Sequence, residues 1–170
     1  WLLSITGAGA LDVPAILWAL DRYPFGCIEQ LTSRALPLLY LDAVTLGAGL
    51  SAEGEEDRSA NGARNRIRQA IAEILAHQAA NGSFGLWGPS LSPGSNNLWL
   101  DAYVSDFLSR AREQGYQVQS AAFSNALDNL RNQLSYAADF DNGGEGIAYA
   151  LYVLARNSRV PVGDLRSYLE

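Results

Sequence analysis

Residues 23–30 read YPFGCIEQ, and this stretch contains the chain's only cysteine, Cys27, three residues before Gln30. If a helix begins near Gly26, Cys27 and Gln30 are i and i+3 neighbours on one face of its first turn, where their side chains can meet. A thiol held against a side-chain amide can expel ammonia and leave a thioester between Sγ and the glutamine acyl carbon. The spacing therefore predicts an acylating group that is stored inside the protein until a nucleophile reaches it.

Helical periodicity continues from this stretch along the chain. Leu31, Ala35 and Leu38 follow Cys27 at the spacing of one helix face, and Pro37 predicts a bend near the end of this helix. The other predicted segments are a short helix capped by Asp12, a loop over residues 47–62, a helix over residues 67–75 ending near Gln78, a loop over residues 80–96, a helix over residues 100–111 stopped at Gly115, helices over residues 123–134 and 144–154, and the start of a helix near Leu165. The alternation typical of strands is absent. We therefore predict an all-α chain of about six or seven helices, stacked as hairpins.

Several blocks of sequence resemble one known family. GCIEQ over residues 26–30 is similar to the thioester motif of the α2-macroglobulin and complement superfamily, whose core is Cys-x-Glu-Gln. The flanking YPF over residues 23–25 and LTSRA over residues 31–35 are similar to bacterial α2-macroglobulins in particular. The blocks NGSFGLW over 81–87 and WLDAYVSDFL over 99–108 resemble blocks that recur in the thioester domains of the family. The resemblance extends from about Leu11 to Leu154. Ile28 stands where the animal proteins usually carry glycine, which places the chain with the bacterial members.

This resemblance implies a fold, a location and an activity. The family's thioester domain is an α/α-toroid of helical hairpins, and residues 1–170 would be a single-domain fragment of it, a partial ring whose C-terminal hairpins are missing. The absence of an initiator methionine also suggests a piece of a longer polypeptide. The family implies a broad-spectrum protease inhibitor that couples covalently to lysine amines of a trapped protease. It also implies further domains in the same polypeptide and a periplasmic, inner-membrane-anchored lipoprotein. Since one reaction consumes the site, the protein is expected not to be an enzyme.

The resemblance assigns roles to several residues near the motif. Cys27 and Gln30 are the reacting pair, and Gly26 and Glu29 support the motif. Because water competes for a thioester, the bond has to be kept dry. The candidate shielding residues are aromatic: Tyr23, Phe25, Trp87, Trp99 and Tyr103.

Cys27 also has simpler interpretations. A lone cysteine is most often a buried core residue, which would make the chain a structural helical module with an unreacted thiol. A cysteine hydrolase would need a histidine to activate the thiol, and the chain has one, His77. We expect His77 to be an exposed charge at a helix C-terminus. It does not match the histidine that redirects complement-type relatives to hydroxyl groups, so transfer to amines is expected.

Composition excludes some partners and weakens a rival enzyme class. The 170 residues carry a net charge of -6 without a basic stripe, which argues against nucleic acid. The apolar stretch over residues 35–50 is too short for a membrane span, so no direct membrane contact is expected. The rival is a toroid enzyme of the terpenoid-cyclase or prenyltransferase type, which would need a carboxylate cluster or a metal. One cysteine and one histidine make a poor zinc site, and no cofactor is expected. The acidic residues in question are scattered: Asp101, Asp106, Asp139 and Asp141.

The block over residues 78–84, QAANGSF, also occurs in that rival class. There a glutamine, a glycine and an aromatic residue at these spacings tie the ends of neighbouring hairpins together. We therefore predict that this block is a buttressed loop rather than a catalytic one.

Overall fold

The computed structural model describes residues 26–40, 60–89, 97–136 and 144–160. The helices in these ranges are α1 (Ile28–Leu38), α2 (Ala60–Ala76), α3 (Leu98–Glu113), α4 (Ser120–Tyr136) and α5 (Glu145–Arg156). The described ranges contain no strand, and one isolated antiparallel bridge joins Gln78 to Phe84. The predicted all-α class is therefore confirmed. The helices predicted near Asp12 and Leu165 lie outside the described residues, and closure into a ring stays a prediction.

The first two helices have boundaries that differ from the sequence prediction. Pro37 lies in the last turn of α1, which ends one residue later instead of continuing through a bend. The loop predicted to run to residue 62 was wrong at its end, because α2 already begins at Ala60. Asn61 and Gly62 lie in the first turn of α2, where a residue with low helix propensity costs least because the backbone amides there have no intrahelical acceptors.

The ends of α3 follow from its flanking residues. The side chain of Asn97 accepts a hydrogen bond from the Leu100 backbone N–H at 3.1 Å, which caps the first turn. At the other end Gly115 has a φ of 85°, and the Tyr116 N–H donates to the Ala111 carbonyl at 2.9 Å. This is the Schellman arrangement, which glycine adopts without strain. The predicted stop at Gly115 is confirmed.

Helices α1 and α3 lie side by side and run parallel. The hydroxyls of Ser33 on α1 and Tyr103 on α3 are 2.9 Å apart. Beyond the end of α1, the Tyr40 hydroxyl accepts a hydrogen bond from Arg110 on α3 at 3.0 Å. In both contacts, an earlier residue meets an earlier residue and a later residue meets a later one. The two helices therefore run in the same direction.

The same reasoning orders the other helices. The Tyr149 hydroxyl of α5 donates to Asp106 at 3.1 Å, and two turns later Arg156 donates to Glu113 at 2.8 Å, so α5 runs parallel to α3. Helix α4 packs against both and runs antiparallel to α3, since the start of α4 meets the end of α3 where the Arg112 guanidinium lies 4.4 Å from the Phe123 ring centroid. A parallel pair, α3 and α5, with the antiparallel α4 between them in sequence is what stacked hairpins produce.

The hydrophobic core is centred on α3. Helices α1, α4 and α5 pack against it, so α3 is buried around most of its circumference. Its fully buried apolar side chains are those of Ala102, Val104, Phe107, Leu108 and Ala111. Helix α3 is therefore the central helix of the described core, and α1 packs against it.

Candidate functional site

Cys27 is the N-cap residue of α1. Its backbone is extended (φ −70°, ψ 154°), and its carbonyl accepts the first intrahelical hydrogen bond, from the Leu31 N–H at 3.0 Å. The next residue, Ile28, is fully buried and draws the first turn into the core. Cys27 is consequently 4% exposed, although Gly26 before it is exposed.

Gln30 is the third helical residue of the same turn. The N-cap side chain and the side chain three residues later face each other at a helix start, which is the geometry that a capping box uses. The Cys27 side chain accepts no capping hydrogen bond. Gln30 Oε1 is buried and has no hydrogen-bond partner in the part of the chain that the structure describes. The fold therefore brings a thiol and a carboxamide into one turn with neither held in a capping hydrogen bond.

The start of α1 is held by a segment distant in sequence, residues 78–86, which we term the bridging loop. The Leu86 carbonyl accepts a hydrogen bond from the Ile28 N–H at 3.0 Å. The first amides of a helix have no intrahelical acceptor, so an acceptor from elsewhere has to satisfy them. Here a loop carbonyl does so for the amide that directly follows Cys27.

A buried carboxylate fixes the bridging loop to the core. Asp101, on α3, accepts hydrogen bonds from the Phe84 N–H at 2.7 Å, from Asn129 Nδ2 at 2.9 Å and from Gln133 Nε2 at 2.5 Å. Burial raises the pKa of the Asp101 carboxyl above its ordinary value, and the three hydrogen bonds oppose that rise. The ionised carboxylate accepts all three donors at once, so it joins the loop, α3 and α4.

The bridging loop also touches α4 directly. Gln78 Nε2 donates to the Ala122 carbonyl at 2.9 Å and to the Gly82 carbonyl at 3.2 Å. Gly82 has a φ of 89°, and a Cβ at this position would lie 2.1 Å from the Asn125 carbonyl oxygen. Only glycine fits this approach. The predicted buttressed loop over residues 78–84 is confirmed.

The two motif-supporting residues occupy open positions. A Cβ added to Gly26 would meet nothing within 4 Å, so the described surroundings place no steric demand for glycine there. Glu29 is exposed in the first turn of α1, where a negative charge is favourable near the helix N-terminus.

The structure locates three of the five candidate shielding residues. Trp87 directly follows Leu86 and is 70% exposed, while Trp99 is 42% exposed. The Trp99 ring stacks on Tyr103 with centroids 5.2 Å apart, beside the contact between α3 and α1. Tyr23 and Phe25 lie outside the described residues. The shielding role of all five stays a prediction.

His77 differs from its predicted environment. It follows the last residue of α2 and is half-buried, with Nδ1 buried and unpartnered among the described residues, so the expected exposed position was wrong. No hydrogen bond joins His77 to Cys27 in the described part of the chain, as a cysteine hydrolase would require.

Of the four acidic residues considered for a toroid enzyme, Asp101 and Asp106 are described, and they have different partners. Asp101 binds the bridging loop, and Asp106 accepts hydrogen bonds from Arg110 at 2.9 Å and Tyr149 at 3.1 Å. Asp139 and Asp141 lie outside the described residues. Within the described ranges no three His, Cys, Asp or Glu side chains are arranged to hold a metal, and no helix there is long and apolar enough to cross a membrane.

Sequence reasoning missed the parts that hold the site in place. Every residue has a backbone carbonyl, so the sequence gives no sign that the carbonyl of Leu86 accepts the hydrogen bond from Ile28. Asp101 did carry a signal, because an acid inside the apolar run LWLDAYV is rarely left without hydrogen-bond partners.

Comparison with known proteins adds independent support for the resemblance. Residues 5–146 match the family model described as the A-macroglobulin TED domain. The chain is 34% identical to α2-macroglobulin of Escherichia coli (strain K12) across 99% of its length, and it covers 10% of that protein. The chain therefore spans about a tenth of the length of this relative.

Two solved structures are similar to this one. A crystal structure of Salmonella α2-macroglobulin reacted with methylamine gives a TM-score of 0.74 at 34% identity, covering 91% of this chain and 10% of that one. A crystal structure of trypsin-activated α2-macroglobulin from E. coli gives a TM-score of 0.70 at 36% identity, covering 85% of this chain and 10% of that one.

Proposed function

The chain belongs to the A-macroglobulin thioester-domain family, as a thioester domain of the bacterial α2-macroglobulin type, and from that premise we propose that Cys27 and Gln30 form an internal thioester that acylates amines. One observation carries the proposal. The cysteine is the N-cap and the glutamine the third residue of the same buried helix start.

The thioester forms in one step and is consumed in a second, and the atoms balance in both. The Cys27 thiol adds to the Gln30 side-chain carbonyl, and loss of ammonia leaves the thioester. An amine then attacks the acyl carbon, a new amide forms, and Cys27 leaves as a free thiol. Because thiolate is a better leaving group than an amine, the second step runs downhill. The site is used once and is not regenerated, which makes the protein a single-use acylating agent rather than an enzyme.

The burial of Cys27 supports the storage part of this scheme. Hydrolysis needs water at the acyl carbon, and a thiol that is 4% exposed leaves little room for it. Gln30 Oε1, which becomes the thioester carbonyl oxygen, is also buried. Withdrawal of this turn from water would keep the bond intact until the surroundings rearrange.

Intact mass spectrometry with a free-thiol assay tests the bond. We expect the purified protein to be one ammonia lighter than its sequence, to lack a free thiol, and to gain one methylamine as the thiol appears. The Cys27→Ala and Gln30→Ala variants should show neither the lighter species nor methylamine uptake. Gln117→Ala, a matched change at an exposed glutamine, should behave as the wild type does.

The results separate this proposal from the structural alternative. An unmodified mass with a freely titrating Cys27 would refute the thioester and favour a structural helical module. Methylamine uptake that persists in Cys27→Ala would show that the reacting residues are misassigned.

The nucleophile in the proposed function is a lysine amine of a protease. A protease cuts a bait segment outside these residues, the surrounding domains of the same polypeptide rearrange, and the exposed acyl group couples to the attacker. The similarity to an α2-macroglobulin that trypsin activates supports this sequence of events. The alternative nucleophile, a hydroxyl group, would call for a histidine beside the thioester, and His77 makes no hydrogen bond to Cys27.

A challenge with trypsin tests the trap. The complete protein should form a covalent adduct with trypsin that survives denaturing electrophoresis, and pretreatment with methylamine or the Cys27→Ala change should abolish it. Parallel incubation with glycerol should leave the thioester mass unchanged. Adduct formation that is insensitive to methylamine would contradict acylation by the thioester.

The family also implies a periplasmic, lipid-anchored protein at the inner membrane. Membrane fractionation of cells that express the complete protein tests this location. The protein should sediment with the inner membrane and be released by detergent, and recovery in the soluble cytoplasmic fraction would contradict it.

A further inference from the structure

We propose that Asp101 is a positioning residue for the thioester turn. Its carboxylate holds the bridging loop, and the Leu86 carbonyl of that loop holds the backbone on which Cys27 sits. The chemical consequence of this inference rests on the proposed function, whereas its structural part does not. No direct contact between Asp101 and Cys27 is involved.

The two carboxylate oxygens of Asp101 serve different elements. Oδ1 accepts the Phe84 N–H, which belongs to the bridging loop, and Oδ2 accepts the side-chain amides of Asn129 and Gln133, which belong to α4. All three partners present N–H groups. An ionised carboxylate is acceptor-only and can receive all of them, whereas an amide side chain has one oxygen and two donors of its own.

The bridging loop transmits this anchorage to α1 over a short distance in sequence. Phe84 is buried, paired with Gln78 across the antiparallel bridge, and lies two residues before Leu86. Leu86 itself is exposed, so its side chain contributes little to fixing its carbonyl. The hydrogen bond from Phe84 to Asp101 therefore helps to fix that carbonyl, together with the buried Phe84 ring and the bridge to Gln78.

The Leu86 carbonyl in turn orients the residue that reacts. The Ile28 N–H lies in the same rigid peptide plane as the Cys27 carbonyl. A hydrogen bond to that N–H at 3.0 Å fixes the plane, and with it the ψ angle of Cys27. That angle decides how the helix start presents the Cys27 side chain to Gln30. A loosened bridging loop would widen the range of Cys27–Gln30 geometries and open the turn to water.

The Asp101→Asn variant of the complete protein tests this chain of contacts by hydrogen exchange. Loss of a hydrogen bond to a charged acceptor should speed exchange of the Phe84 and Ile28 amides roughly ten- to a hundred-fold. Gln133→Ala is the matched control, because it removes a partner of Oδ2 and leaves the bond to Phe84. Its Ile28 exchange should stay within about two-fold of the wild type. Unchanged Ile28 exchange in Asp101→Asn would overturn the inference.

A measurement on the wild type keeps the test decisive if Asp101→Asn does not fold. If the bridging loop and the thioester turn open as one unit, the Phe84 and Ile28 amides should show the same dependence of exchange on sub-denaturing urea. Different dependences would show that the two open separately and would overturn the inference.

The reactivity of the thioester supplies a separate readout. In Asp101→Asn the lighter, ammonia-depleted species should be less abundant or should disappear several-fold faster in water than in Gln133→Ala. If the wild type forms no thioester, the proposed function fails, yet the exchange of Ile28 still decides whether Asp101 positions the turn. The two failures are therefore distinguishable.

Discussion

Replacement of Gly82 by alanine should destabilise the chain far more than the same replacement at Gly115. Both glycines have positive φ angles, 89° and 85°. At Gly115 an added Cβ would meet nothing within 4 Å. At Gly82 it would lie 2.1 Å from the Asn125 carbonyl oxygen, far inside van der Waals contact. The two substitutions therefore share the cost of a positive φ angle at alanine, and only Gly82→Ala adds a steric clash.

The expected magnitudes follow from these two terms. A left-handed backbone at an alanine costs about 1–2 kcal/mol, which is the whole expectation for Gly115→Ala. Gly82→Ala adds the displacement of the bridging loop from α4, at about 1–3 kcal/mol, for a total of roughly 2–5 kcal/mol. The Asn125 oxygen belongs to the backbone of a helix, so it cannot rotate away as a side chain would.

Urea unfolding of the two variants, followed by circular dichroism, measures the difference. Gly82→Ala should lose at least about 1 kcal/mol more of its unfolding free energy than Gly115→Ala. Displacement of the loop should also speed Ile28 amide exchange in Gly82→Ala and leave it unchanged in Gly115→Ala. Equal losses of stability in the two variants would refute the close approach between Gly82 and α4.

Three further predictions concern the packing and charges around α3. Phe107→Ala should cost about 3–5 kcal/mol of unfolding free energy because the ring is fully buried, while Tyr136→Ala, at a ring that is 88% exposed, should stay within about 0.5 kcal/mol. Asn97→Ala should cost about 1 kcal/mol through the lost cap and Asn97→Asp almost nothing, as urea titration would show, and equal costs would contradict the cap. Because burial raises the folded-state pKa of Asp101 above 3.8, the pH-dependent part of its contribution to stability is fully present below that pH and is lost as the pH rises through the raised value. The unfolding free energy of the wild type minus that of Asp101→Asn should therefore fall as the pH rises from about 4, and a rise would contradict the direction of the shift.

The sequence predicted the helices well where local signals agree. The run over residues 100–111 combines helical apolar spacing with a glycine stop, and α3 has the expected end. The predicted start of α2 was wrong because Gly62, considered by its residue type alone, indicates a loop. A single glycine in a first turn is outweighed by the packing of the rest of the helix, which includes buried Ile67, Ile71 and Ile74.

The candidate site likewise has a part that local sequence signals predict and a part that they do not. The shared turn of Cys27 and Gln30 follows from a three-residue spacing, which is a local property of any helix start. The acceptor for the Ile28 amide, the Leu86 carbonyl, and the anchor of its loop, Asp101, lie 58 and 73 positions further along the chain. Such contacts are set by how the helices stack, which single-sequence periodicity does not encode.

The way α1 begins explains how a reactive cysteine can occupy an N-cap position. Helix starts are usually stabilised by an N-cap oxygen that accepts a backbone amide, and a thiol is a weak acceptor for this purpose. In this chain the Leu86 carbonyl supplies an acceptor from the bridging loop, so the Cys27 side chain is not committed to capping. Stabilisation of the helix start and the proposed acylation chemistry thus depend on different residues. It follows that Cys27→Ala should remove the chemistry and leave α1 folded, whereas changes at Asp101 or Gly82 should disturb the turn without touching either reacting group.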